Sequence, residues 1–178
     1  MTPTKTVAAL EPGRSLDVGC DAGGLVLALA SHGWKAAGMD ITANAIASAH
    51  AVMAKHEVTA ELEVGDASTW TPDGQFDLIT NCFALSGDQS GQHRAVRMMV
   101  DALAPGGMLV LKDFDSSMHA TGHFKGFYLP TVAELRECME GLEIVAAEVV
   151  GTPVHTHADQ PAHQDQRWTA AWIVARKP

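Results

Sequence analysis

Basic residues are scarce in this chain of 178 residues, where 12 lysines and arginines face 21 aspartates and glutamates and leave a formal charge of -9. Affinity for nucleic acid rests on clustered cations that release counterions from phosphates, and here the few cations are scattered, so no nucleic-acid partner is expected. Cysteine is scarce as well. Cys20, Cys82 and Cys138 are odd in number and widely spaced, which argues for reduced thiols and against a disulfide framework or a zinc ribbon. No apolar run reaches the about 18 residues at which a membrane helix becomes a candidate, and no charged-then-apolar leader or lipidation signal is found. The expectation is a soluble cytoplasmic protein with no membrane partner, acting on a small molecule or ion.

What is present suffices for one domain, residues 1–178, with a core of its own: 47% of the residues are hydrophobic. The most informative stretch is 14–30, RSLDVGCDAGGLVLALA. Leu16 and Val18 read as a buried parallel strand, Gly19, Gly23 and Gly24 as a tight turn, and 25–30 as the opening of a helix. Glycine is required where backbone must turn sharply and approach a ligand with no Cβ in the way, and the helix start offers unpaired amides. A second strand is expected over 35–40, KAAGMD, ending in Asp40. In doubly wound folds an acid roughly 20 residues past the glycine turn binds ribose hydroxyls. Asp40 is thus either a ribose ligand or the N-cap of the helix that follows over 44–56.

Further motifs follow in order: VGDA at 64–67, FDLITNCFALS at 76–86 and LAPGGMLVLKDF at 103–114. With LDVGCDAGG and GMD, these resemble the motifs of the class I S-adenosylmethionine-dependent methyltransferases. The resemblance implies an α/β fold, a Rossmann-like doubly wound sheet of seven strands, mostly parallel with an antiparallel last strand and helices on both faces. It implies S-adenosyl-L-methionine as cofactor and S-adenosyl-L-homocysteine as product. By motif position it carries cofactor binding to Asp17, Gly19, Cys20, Asp21 and Gly23 in the first motif, to Asp40 and Ile41 in the second, to Asp66 and Ala67 after the third strand, and to Asn81 in the fourth. One departure stands out: Asp21 occupies a position where the family usually has glycine. Aspartate tolerates left-handed backbone, so the turn can survive, and its carboxylate would either face the methionine ammonium or weaken cofactor affinity.

The remaining elements are read from periodicity and punctuation. Residues 1–13 read as a short lead-in, so an internal loop, a partner subunit or nothing at all closes the site. Helices are expected at 24–32, 44–56 (Ile46, Ala49 and Met53 inward), 89–103 (Val96, Met99 and Leu103 inward) and from the capping box TVAE at 131–134 to about Met139. Strands are expected at 60–64, 76–80, 108–111, 142–150 and 168–175. Trp70 either covers the adenine or packs, and Cys82 is either a nucleophile or a buried thiol. Lys112, Asp113 and Asp115 should emerge from the catalytic end of the fifth strand. The stretch 114–130, with His123 and glycines at 122 and 126, reads as a lid or as a disordered crossover.

The loop over 151–167 holds His155, His157, Asp159, His163, Asp165 and Arg167. An antiparallel last strand would set this loop on the cofactor edge. Imidazoles beside carboxylates allow a metal, but the spacing matches no strong signature, so no metal is assigned. A general base or a guide for the nucleophile is favoured, since displacement at a sulfonium needs alignment and removal of a proton. KGFYLPTVAELRECMEGLEIV at 125–145 and the histidine-bearing loop running into TAAWIVARKP resemble the small tellurite-resistance type methyltransferases. That resemblance implies His157, or His155, and Arg167 as pocket residues, with His123 from the lid as a further catalytic candidate. A neighbouring arginine and an N-terminal lid strand of that group are missing, which puts tellurite in doubt as the substrate. The competing readings are a cofactor-binding protein without methyl transfer and a nicotinamide-dependent reductase. The acid at Asp17 and the lack of a spaced GxGxxG count against the reductase. A monomer or homodimer is expected.

Overall fold

A computed structural model describes residues 10–85, 87–122, 124–152 and 168–178. Seven strands form one sheet: β1 (Arg14–Val18), β2 (Lys35–Asp40), β3 (Glu61–Val64), β4 (Phe76–Cys82), β5 (Leu103–Phe114), β6 (Glu143–Thr152) and β7 (Trp168–Arg176), in spatial order β3-β2-β1-β4-β5-β7-β6. The pairings β1 with β2, β2 with β3, β1 with β4 and β4 with β5 are parallel, while β7 runs antiparallel to both β5 and β6. The chain reverses its direction of travel across the sheet at β1, so a crevice opens at the carboxyl ends of β1 and β4.

Alternation along the strands divides the core into two layers. Leu109, Leu111, Ile79 and Ile173 face one side, against α3 (Gln89–Ala102) and α4 (Val132–Cys138), which supply Val96, Met99 and Leu135. Met108, Val110, Leu78, Trp172 and Val174 face the other, against α1 (Gly24–Ser31) and α2 (Ala43–Lys55), which supply Val26, Leu29, Ile46 and Met53. Both layers are aliphatic and methionine-rich. Adaptable methionine suits the gaps between helix and sheet.

The helix ends follow their local chemistry. Gly33 takes a φ of 88° just beyond α1, where a left-handed residue stops a helix without a Cβ penalty. Thr131 and Glu134 form the reciprocal capping box, each side chain accepting from the other residue's backbone N–H. Thr42, and not Asp40, is the N-cap residue of α2.

Three expectations change. Strand β5 begins at Leu103, directly after α3, and not at 108, because Leu103 pairs with Phe76 before a register shift; residues 103–107, outside the expected strand, are its irregular start. Asp113 and Asp115 point inward and are buried. Asp115 caps a 3-10 turn, Ser116–Thr121, whose Met118 is buried, so this part of the 114–130 stretch is neither a free lid nor a disordered crossover. No helix among the described residues is long and apolar enough to cross a membrane.

Candidate cofactor cleft

Every wall of the cleft at this edge of the sheet is a chain segment leaving the carboxyl end of a parallel strand. The first wall follows β1. Gly19 takes a φ of 75°, and its N–H and that of Cys20 donate to the Met39 carbonyl at 2.8 and 2.9 Å, which clips the turn onto β2. A Cβ at Gly19 would run into the Ala84 methyl, so only glycine lets the post-β4 segment come this close. Gly23, at φ 79°, opens α1 with no side-chain cap on its first-turn amides.

The second wall is the end of β2. Asp40 Oδ1 accepts from the N–H and the hydroxyl of Thr42, both at 2.9 Å, and Oδ2 accepts from the Asp21 N–H at 3.1 Å. A carboxylate has about four lone-pair sites, so Asp40 organises both loops and keeps capacity for another donor. Asp21 sits at φ 47°, the left-handed conformation that glycine would adopt freely. The Ile41 side chain, 56% exposed, lies open in the cleft. After β3, Asp66 accepts from the Ser68 N–H at 2.8 Å, and hydrogen bonding to Ser68 holds its carboxyl below the usual range.

The last wall, residues 83–85, follows β4. Phe83 has a φ of 58°, a conformation that bulky residues avoid. Its N–H donates to the Lys112 carbonyl at 2.8 Å, and the Leu85 N–H donates to Asp113 Oδ2 at 2.7 Å. The other Asp113 oxygen accepts from the Phe114 N–H at 2.7 Å, and burial pushes this carboxyl up to about 6 against those bonds. The cleft is half open and measures about 430 Å³.

Of the ten cofactor candidates, Gly19, Asp21, Asp40, Ile41, Asp66 and Ala67 line this cleft. The other four lie behind it. Asp17 is 5% exposed and accepts from Thr80 Oγ1 at 2.7 Å; burial, with Asp40 nearby, pushes its carboxyl up to about 7. Cys20 is buried against Gly38, and its thiol is pushed up to about 12, mainly by burial. Gly23 fits tightly against Ala49 and Met53 of α2. Asn81, 2% exposed, donates from Nδ2 to the Val18 carbonyl at 3.3 Å, and its Oδ1 is buried without a partner among the described residues.

Sequence reasoning did not assign Val18, Met39, Gly65, Cys82, Phe83, Ala84 or Leu85 to the cofactor, yet all seven line the cleft. Gly65 had a signal, because it lies inside VGDA. The left-handed turn at Phe83 has none. Trp70 packs against the core and borders a separate hollow with His93, Arg94 and Arg97. Cys82 is exposed in the cleft, but burial of the sulfur pushes its thiol up, which disfavours the thiolate a nucleophile needs.

His123, His155, His157 and Arg167 lie outside the described residues. Their flanks are described. Thr152 pairs with Trp168, two residues past the pairing of Ala170 with Phe114, so both ends of the 153–167 segment leave from the same edge of the sheet as the cleft. Among the described residues no group of three or more His, Cys, Asp or Glu is placed to hold a metal ion.

The family model described as a methyltransferase domain matches residues 16–107, which span β1 through the start of β5 and all four cleft walls. The chain belongs to the S-adenosylmethionine-dependent methyltransferases. The cofactor of this methyltransferase is S-adenosylmethionine. It is 31% identical over 106 residues to ribosomal RNA small subunit methyltransferase C of Alcanivorax borkumensis; the match covers 57% of this chain and spans about a third, 32%, of that relative. Its fold is similar to that of TehB from Haemophilus influenzae, with a TM-score of 0.80 at 18% identity, over 98% of this chain and 61% of the other. It is also similar to the N-methyltransferase NodS from Bradyrhizobium japonicum, solved with S-adenosylhomocysteine, with a TM-score of 0.73 at 24% identity over 97% and 81% of the two chains.

Proposed function

We propose that this methyltransferase moves the sulfonium methyl of S-adenosylmethionine to a small acceptor carrying oxygen, nitrogen, sulfur or a heavier chalcogen. The single observation that carries the reading is a cleft with a carboxylate on each of two adjoining walls, Asp40 and Asp66, and the turn of Gly19 on a third, with the uncapped start of α1 following that turn in the chain. In this reading Asp40 takes the ribose hydroxyls, Ile41 and Ala67 cover the adenine, Asp66 accepts from its amine, and the amides of the glycine turn and α1 take the methionine carboxylate. Asp21 faces the ammonium. Asp17 and Asn81 brace β1 and β4 beneath the ligand.

The chemistry is a displacement. A lone pair on the acceptor forms the new bond to the methyl carbon, the electrons of the breaking C–S bond return to sulfur, and S-adenosylhomocysteine leaves uncharged at that atom. Where the nucleophile carries a proton, a base removes it. Most of what the protein contributes is alignment. His157, or His155, is proposed as that base or guide, with Arg167 and His123 beside the acceptor. The formal charge of -9 supports a small acceptor over a polyphosphate one.

Calorimetry with S-adenosylmethionine, S-adenosylhomocysteine and NAD tests the cofactor, and methyl transfer across a broad acceptor panel tests the reaction. Binding of S-adenosylhomocysteine but not NAD, with turnover on a small acceptor, is the expected result. Tight binding with no turnover on any acceptor would favour the reading as a cofactor-binding protein. His157→Ala is expected to cut turnover and leave cofactor affinity within about twofold; unchanged turnover removes His157 from the mechanism.

A further inference from the structure

We propose that Phe83, Phe114, Phe124 and Trp168 form the acceptor wall, and that the acceptor is a small molecule with a flat aromatic body bearing the nucleophile. The proposal rests on the methyl-transfer reading above and narrows its substrate class. Three of the chain's five phenylalanines and one of its four tryptophans meet here. Phe114 is the hub, with ring centroids 4.7 Å from Phe83, 4.7 Å from Phe124 and 5.5 Å from Trp168; Phe124 and Trp168 lie 6.3 Å apart. The interplanar angles run from 43° to 78°, the tilted and edge-on arrangements that aromatic quadrupoles favour.

Core packing does not account for this cluster. The two core layers use aliphatic side chains and methionine, with Phe76, Trp34 and Trp172 as their only buried aromatic residues among those described, whereas all four rings of the wall are half-buried. Their placement follows the ligand edge instead. Phe83 leaves β4, Phe114 ends β5 and Trp168 begins β7, so three separate elements deliver rings to the carboxyl ends of the strands. Phe83 belongs to both features, since it lines the cofactor cleft and touches the cluster. Its left-handed backbone is a strained conformation for a bulky residue, and the bonds to Lys112 and Asp113 are what hold the segment there. Spending that strain on a phenylalanine makes sense if the ring must face both cofactor and acceptor.

Two polar groups complete the wall. The Lys112 ammonium lies 5.3 Å from the Phe83 ring centre, where its charge favours a deprotonated acceptor such as a phenolate. The Trp168 indole N–H is shielded and has no partner among the described residues, leaving one donor for an acceptor oxygen. Rings suit a flat organic body, while an inorganic oxyanion would need a nest of donors that these four side chains do not offer.

The experiment titrates 2-naphthol and catechol into the full-length protein, with and without saturating S-adenosylhomocysteine, by calorimetry and by tryptophan fluorescence, with sodium tellurite as the contrast. Saturable binding of the aromatic probes is expected, weakened about fivefold or more in Phe124→Leu and in Phe114→Leu while the affinity for S-adenosylhomocysteine stays within about twofold. Trp168→Phe keeps a ring but removes the indole N–H, and it is expected to weaken 2-naphthol and catechol while leaving benzene, titrated alongside as a ring without a hydroxyl, bound as in wild type, so it decides the matter should a phenylalanine variant fail to fold. No saturable binding of either ring up to about 5 mM, or equal binding by wild type and variants, overturns the proposal. Methyl transfer to tellurite that the variants leave unchanged overturns it as well. If S-adenosylhomocysteine itself does not bind, the methyl-transfer reading fails separately, and the titrations without cofactor still decide whether the wall takes rings.

Discussion

Asp17 lies under the glycine turn in the folded protein, with its carboxyl raised from the ordinary 3.8 to about 7 mainly because burial penalises the charge. The folded state therefore holds a proton that the unfolded chain gives up, and the stability this group contributes is complete below pH 3.8 and is lost as pH rises through about 7. Asp17→Asn keeps the shape and the acceptor for Thr80. Its stability relative to wild type is expected to improve by on the order of 1–3 kcal/mol between pH 4 and pH 8, measured by urea denaturation at both; parallel pH profiles would show that the buried proton is not there. Gly19→Ala fails for a different reason, combining a φ of 75° with the approach of Ala84. Lower thermal stability and loss of S-adenosylhomocysteine binding are expected together, and a variant that binds normally would show that the two segments need not touch.

At the scale of elements, β5 and the post-β4 segment are joined by one buried carboxylate. Asp113 accepts from the Leu85 N–H and from the Phe114 N–H, so it fixes a cleft wall and an acceptor-wall ring at once. Asp113→Asn replaces one accepting oxygen by an NH2 group, which faces a backbone donor with another donor. Affinity for S-adenosylhomocysteine is expected to fall about tenfold, equivalent to about 1.4 kcal/mol, with the fold retained by circular dichroism. Unchanged affinity would mean that the wall holds its shape without the clamp. The capping box of α4 offers a contrast away from the cleft: Thr131→Ala is expected to cost about 1 kcal/mol and leave cofactor affinity alone.

For the whole molecule, the cleft joins loops from β1, β2, β3 and β4, so a ligand that fills it ties together segments far apart in the chain. A ligand bound only by the folded state stabilises it by about 2.7 kcal/mol at one hundred times its dissociation constant. For a domain of this size a melting shift of roughly 5–10 °C is expected with S-adenosylhomocysteine, and none with NAD at the same concentration. Equal shifts with both would remove the specificity that Asp40 and Asp66 are proposed to supply.

The sheet was legible because its signals are local. Strand β2 falls at Lys35–Asp40 as its apolar run and terminal acid indicate, the inward stripe of Ile46, Ala49 and Met53 obeys helical spacing, and TVAE caps a helix as a short-range hydrogen-bond pattern must. The place of Gly19 and Asp40 at the cleft was legible for the same reason, since conformational freedom and charge belong to single residues. Tertiary structure alone decided which motif residues face the cleft: Asp17 and Asn81 turn behind it while Ile41 opens into it, because side-chain direction at a strand end depends on register with the neighbouring strands. It alone decided the wall after β4 as well. The left-handed turn at Phe83 and the gathering of four rings arise from contacts between residues as far apart in sequence as Phe83 and Trp168, and no local pattern encodes a contact of that range.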